Sequence, residues 1–461
     1  KRAIDPCCHC IFPLLSSEPD VAMLWDKGQS VAAWVQRFTV GEDYRWDTLL
    51  LPYDIEGTRA HAAGLHRIGI LSDEEFQAVS EALDALKAEV AAGRVVVRPE
   101  DEDAHTVIET FLTERLGDTG KKIHTGRSRN DQVLAAIRLF LKDGLCEAGR
   151  QVARLVEQLC ELGAAYNDAL MPGYTHLQQA MPSTAGLWAL GYAELLLSDL
   201  AALRHAYDQV DVSPLGSAAG YGVPFLELPR EEVAQRLGFR TLQLHVTAVQ
   251  LSRGKLELHA AHAFVQVGAT LNRMASDLVL FNSQEFGFVE LPPECCTGSS
   301  IMPQKQNPDV LELVRAGYHR LLAEMNVLLT LPANLPSGYH RDLQLTKEAV
   351  IRCVLHAYDL LTAMVQLLPG LRFRRDRMQA ACTPALLATA EALRRVAEGV
   401  PFREAYRQAA AALDSLPQPD PETVLRAYRV DGYPGRGRPD RLLEQLRAFQ
   451  DWLTPTEPED A

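Results

Sequence analysis

From Leu134 onward the apolar residues Leu134, Ile137, Leu141, Leu145, Ala148, Val152, Leu155, Leu159 and Leu162 recur at spacings of three and four. That spacing draws one stripe along a helix face, and no proline interrupts it before Pro172. At 1.5 Å per residue such a helix is roughly 45 Å long. Further helical stretches are predicted at about 186–210, 256–281, 308–331 and 342–368. Alternating strand patterns are nearly absent, and 95–97 is the one short extended piece expected. The chain therefore predicts an all-α fold, an elongated central bundle of long helices flanked by two smaller helical domains.

Five long, largely apolar helices carry more apolar face than one subunit can cover, so self-association is expected. The smaller N-terminal unit spans 24–125, and its Ser72-Asp73-Glu74-Glu75 reads as a helix N-terminal cap. The bundle is expected over 126–374. A second small helical domain over 375–461 is broken by Pro417, Pro419 and Pro421 and ends in an acidic tail. Residues 1–23 read as a disordered extension.

Composition narrows the classes. The 461 residues carry a formal net charge of −14 with no long basic run, which argues against a nucleic-acid partner. No uninterrupted apolar run reaches the ~20 residues a membrane span needs. Nine cysteines without a disulfide-like framework suggest reduced thiols and a cytoplasmic setting. Cys7, Cys8, His9 and Cys10 are too crowded to close a tetrahedral metal site easily. An anionic ligand must thus find a local cluster of positive groups inside an acidic protein.

The densest candidate chemistry lies at 298–308, Gly-Ser-Ser-Ile-Met-Pro-Gln-Lys-Gln-Asn-Pro. Two hydroxyls, a lysine and an asparagine sit in a segment broken by Pro303 and Pro308, which buries too little to be a core element. The plain alternative is a surface loop leading into a helix, with Asn307 as N-cap and Pro308 in the first turn. Upstream, Arg127 and Arg129 stand in His124-Thr125-Gly126-Arg127-Ser128-Arg129-Asn130-Asp131-Gln132, just before the long helix. Arginines and free N–H groups at a helix start make a ready carboxylate site, while Asn130 or Asp131 can also cap that helix.

The 298–308 segment resembles the signature loop of the fumarase/aspartase superfamily, whose members eliminate a group from a succinyl unit and release fumarate. Gly173-Tyr174-Thr175-His176-Leu177-Gln178 resembles the histidine segment of the same superfamily, and the 124–132 string is similar to that of the argininosuccinate lyase family within it, as are Tyr339 to Glu348 and Gly399 to Tyr406. The resemblance covers most of the chain. It implies Ser299 and His176 as the acid–base pair, with the order of proton transfer open. It implies Lys305 and Asn307 as the groups that stabilise a carbanion, and Glu312 as the acidic partner of His176. Arg127, Ser128, Asn130, Thr175, Tyr339, Gln344 and Lys347 are implied to bind substrate. For Gln344 and Lys347 the plain alternative is a solvated helix face. The resemblance further implies a homotetramer whose active sites are shared between subunits, acting on a small molecule. No motif implies a metal or organic cofactor.

Two departures stand out. Gly41 occupies a position where the family usually has a substrate-binding serine, and 214–222 alters the usual Gly-Ala-x-Ala-Gly pattern. Both raise the expectation that an N-acylated argininosuccinate is accepted. Two competing readings are a related lyase acting on adenylosuccinate or aspartate, which should lack the 124–132 string, and a silent structural relative of the lens-crystallin kind, which could lose site residues.

Overall fold

The computed structural model describes residues 32–454. The N-terminal extension with the Cys7–Cys10 cluster and the acidic tail from Pro455 lie outside the described residues. The chain is all-α in class, as its hydrophobic periodicity predicts. It falls into two compact units, one comprising residues up to Ile137 with Ser213–Gln250, the other Arg138–Val212 with Leu251 onward.

In the first unit, helices Asp43–Arg67, Asp73–Ala91 and Ala104–Leu116 close around Leu51, Ile55, Leu65, Leu83, Ile108 and Leu112. Each such leucine or isoleucine removed from water contributes about 1.5–3 kcal/mol. The expected cap at Ser72 is a full capping box: Glu75 N–H donates to Ser72 Oγ, and Ser72 N–H donates to Glu75 Oε2 at 2.9 Å. Residues 95–97 form no strand; Val97 N–H donates to Thr48 Oγ1 at 3.2 Å and not to a ladder partner.

In the second unit the predicted helices appear within a few residues of their expected ends: Arg129–Ala165 (cut between the units after Ile137), Ala185–Val210, Lys255–Asn282, Asp309–Thr330 and Leu345–Leu367. Every member of the Leu134–Leu162 stripe is buried except Leu162, which is half-buried near the helix end. The Lys255–Asn282 helix packs on the Ala185–Val210, Asp309–Thr330 and Leu345–Leu367 helices. A side chain at Gly186 would meet the Asn167 backbone at 2.6 Å, so glycine is what lets the Ala185–Val210 helix start this close to the preceding turn.

Among the elements that sequence reading missed, the largest strand pair is the antiparallel hairpin of Leu170–Thr175 and Gln178–Thr184. Pro172 faces Pro182 across it, and the register slips between Gly173 and Tyr174. Prolines and a bulge erase the alternation that marks a strand.

Two helical segments, Ala185–Val210 and Arg341–Gly370, are long and apolar enough by composition to cross a bilayer, although charged residues interrupt both. Half of the relevant window in each is buried inside the protein. On the first, Asp199 accepts a hydrogen bond from Thr270 Oγ1 at 2.6 Å, and Trp188 and Tyr192 donate to Asp277. These are core helices.

Burial pushes the Asp199 carboxyl from 3.8 up to about 6, although the Thr270 hydroxyl favours its ionised form. A carboxylate whose folded pKa is raised loses stability as pH climbs through that window. Asp199→Asn is therefore expected to raise stability by about 1–3 kcal/mol at pH 8, with the gain shrinking toward pH 4. Urea melts of both proteins at the two pH values check this; a gain independent of pH would contradict it.

Candidate active site

The signature segment is a clamped loop. Thr297 and Asn307 form an antiparallel bridge, with Asn307 N–H donating to Thr297 O at 2.8 Å and Thr297 N–H returning to Asn307 O at 3.2 Å. Asn307 is consequently not the N-cap of the next helix. Its side-chain amide donates across the stem, to Gly298 O at 3.3 Å, and the helix starts at Asp309 with Pro308 in the cap position. The Thr297 hydroxyl donates to the Asp309 carboxylate, so the first helical turn clamps the stem.

Inside the loop the Ser299 hydroxyl oxygen accepts the Met302 amide at 3.1 Å and, more weakly, the Ile301 amide at 3.4 Å. Two N–H dipoles aimed at one hydroxyl oxygen favour its alkoxide over the neutral hydroxyl. Ser299 is half-buried, Lys305 is exposed, and Ile301 is 83% exposed at the tip. Glu312 lies exposed in the first turn of the helix, and among the described residues it makes no hydrogen bond or ion pair with His176.

His176 and Leu177 are the two turn residues of the hairpin, between paired Thr175 and Gln178. Their φ angles are +54° and +56°. Positive φ at both positions is the type I′ turn, which favours Asn-Gly, yet a histidine and a leucine fill it here. Each non-glycine residue in that region costs about 1–2 kcal/mol. The turn thus presents the imidazole, exposed, at the apex of a rigid ribbon. Gln179 ties the ribbon down, its amide donating to Ala381 O at 2.7 Å and its oxygen accepting from Thr383 Oγ1 at 3.0 Å. Leu177 is 75% exposed, so Leu177→Gly should relieve the backbone without losing burial and raise stability by about 1 kcal/mol. A lower midpoint of thermal unfolding would contradict that reading.

The 124–132 string builds the start of a helix in the first unit. Ser128 occupies the N-cap position, its Oγ accepting the Asn130 amide at 3.3 Å. Arg127 donates to Thr58 Oγ1 at 3.0 Å, and its Nε, buried, has no hydrogen-bond partner. Burial lowers the Arg127 pKa against the pull of Asp54, Asp131 and Glu109. The same burial, with Arg127 adding to it, drives His61 well below its usual value, so His61 is neutral and donates through Nε2 to Thr125 O. Arg129, expected to help bind an anion, is instead engaged by Glu102, Asp103 and Thr106. Thr58 and His61 stand on a helix 65 residues or so upstream in an unremarkable stretch, and no sequence signal marks them as neighbours of Arg127.

Asp131 joins this helix start to the departing segment 214–222. Its Oδ2 accepts the amides of Gly216 (3.1 Å) and Ala218 (2.8 Å), while Oδ1 accepts that of Ser128 (3.0 Å). Burial raises the carboxyl to about 6, opposed by these amides and by Arg127. At the other departure, Gly41 has φ +55° and ψ −130°, and among the described residues no atom stands within 4 Å of the position a Cβ would take. A serine would be strained on that backbone.

In the second unit Tyr339 precedes a 3₁₀ turn, Arg341–Gln344, that feeds the Leu345–Leu367 helix. Gln344 is half-buried at the junction. Lys347 is only 4% exposed, so it is no solvated surface charge.

A mostly helical chain with a clamped Gly-Ser-Ser loop has the build of a lyase of the fumarase/aspartase superfamily, and a lyase family model matches residues 33–322. The argininosuccinate lyase of Sorangium cellulosum is 45% identical over 426 residues, covering 92% of this chain and 98% of that one. That of Xylella fastidiosa strain 9a5c is 42% identical over 96% of this chain and 98% of its own length. The chain belongs to the argininosuccinate lyase family. Among solved structures, EDDS lyase in complex with formate superposes with a TM-score of 0.73 at 25% identity, over 90% of this chain and 91% of that one. Class II fumarase from Schistosoma mansoni shares the fold, with a TM-score of 0.68 over 85% of this chain and 95% of its own, at 16% identity.

Proposed function

We propose that the chain is a carbon–nitrogen lyase that cleaves argininosuccinate reversibly to L-arginine and fumarate, a step of arginine biosynthesis. The observation that carries this reading is the pair of amides on Ser299 Oγ, in a chain 45% identical to a named argininosuccinate lyase. Ser299, as alkoxide, takes the proton from the carbon beside a carboxylate. The electron pair delocalises into that carboxylate, where Lys305 and Asn307 counter the charge. The C–N bond then breaks, and His176 protonates the departing guanidinium nitrogen. Glu312, which does not bond His176 among the described residues of one subunit, is taken as its acidic partner across the assembly. Arg127, Ser128, Asn130 and Thr175 hold the succinyl carboxylates; Tyr339, Gln344 and Lys347 hold the rest of the substrate.

The exposed Leu313, Leu329, Leu345, Leu355 and Tyr358 on two long helices support assembly, which we take to be a homotetramer with shared sites. All six described cysteines are free thiols, in keeping with the cytoplasm. Mixing the protein with argininosuccinate should raise the ultraviolet absorbance of fumarate, while adenylosuccinate and aspartate should give none. No signal with argininosuccinate overturns the proposal. Gly41 itself, which puts no side chain where the family usually has a serine, favours a second reading, acceptance of an N-acylated argininosuccinate. Turnover of the N-acetylated compound against the free one decides it, and a strong preference for the free form removes it.

A further inference from the structure

Arg253 belongs to none of the segments that carry the family resemblance, yet it is tied to one of them. It lies two residues before the Lys255–Asn282 helix, with Gly254 as that helix's N-cap. Its side chain is 4% exposed, and its guanidinium carbon sits 4.9 Å from the centroid of the Tyr339 ring. A guanidinium at that distance from an aromatic face is attracted by the ring quadrupole, and more strongly when both are shielded from water.

A second contact binds the same two segments. Gly254 has φ +79°, and a side chain there would meet Pro332 Cγ at 2.5 Å. Pro332 opens the stretch that ends at Tyr339, so the start of the Lys255–Asn282 helix touches both ends of it. One turn into the same helix, burial raises the Glu257 carboxyl, opposed by the positive charges of Arg138 and Arg253. Arg138 itself is anchored, donating to Val212 O at 2.7 Å and to Ser252 Oγ at 3.1 Å. A buried arginine flanked by a buried glutamate has a defined place, and the ring laid on it inherits that definition.

We propose that Arg253 is a positioning residue for the elimination, setting the orientation of Tyr339 toward the substrate from behind the ring. The inference rests on the reading of Tyr339 as a substrate-binding group. It predicts an effect on substrate binding that passes through Tyr339 alone.

The test is a double-mutant cycle on the full-length enzyme, read as KM and kcat for argininosuccinate. Tyr339→Leu should raise KM about tenfold or more, and Arg253→Met should raise it by a similar factor with a smaller change in kcat. In the Tyr339→Leu background, Arg253→Met should add almost nothing. Arg253→Lys keeps a cation near the ring but not the planar stack and should recover part of the loss, which guards against a variant that merely folds poorly. Additive effects of Arg253→Met and Tyr339→Leu, or an Arg253→Lys variant no better than Arg253→Met at equal thermal stability, overturn the positioning role while leaving Tyr339 as a binding residue. An unchanged KM in Tyr339→Leu removes Tyr339 from the site, and the proposal for Arg253 with it.

Discussion

Replacing Ser299 with alanine is expected to lower kcat by about 10³–10⁴-fold while changing KM little. The Ser299 oxygen is the one the Ile301 and Met302 amides address, and alanine leaves both donors without their acceptor. The stem between Thr297 and Asn307 does not involve the Ser299 side chain, so the loop should keep its clamp. Steady-state rates of fumarate formation, with argininosuccinate binding measured by calorimetry on the variant, separate the two parameters. Activity within tenfold of the unsubstituted enzyme would shift the base to another group, His176 first among them.

The second large effect is expected at Asp131. Asp131→Ala leaves three amides, of Ser128, Gly216 and Ala218, without their acceptor in a fully buried position. Unsatisfied buried donors cost about 1–3 kcal/mol each and do not add simply, so a loss of about 3–5 kcal/mol is expected. Because Ser128 caps the helix that carries Asn130, KM should rise as well. Urea unfolding with a parallel KM measurement checks both. A loss under about 1 kcal/mol would mean that the 214–222 segment is held by Arg230 instead, whose guanidinium bonds the carbonyls of Leu215, Gln243 and Leu244.

The long helices were legible because their stripes are local. Three-and-four spacing from Leu134 to Leu162 needs no partner to be recognised, and burial follows it almost residue by residue. The hairpin was not legible, since prolines and a bulge remove its alternation and it owes its place to Gln179 and neighbours some 200 residues on. The same limit holds at the stem of the loop. Asn307-Pro308-Asp309 reads as a helix cap, but Thr297, ten residues earlier, competes for the asparagine and wins both its backbone and its amide.

Sequence by itself determined the class of fold, the family, and the identity of the chemically capable residues, because periodicity and short motifs are properties of neighbours along the chain. Tertiary structure alone decided which of those residues are engaged elsewhere and which are poised. Arg129 is taken by Glu102 and Asp103, whereas Arg127 keeps an unbonded Nε. His176 is displayed on a strained turn, Ser299 faces two amides, and Arg253, unmarked in the sequence, lies against Tyr339. The Ser299 contact is local and depends on how its loop is folded; the others depend on a φ angle or on a contact between distant segments, and none of this is written in the order of residue types.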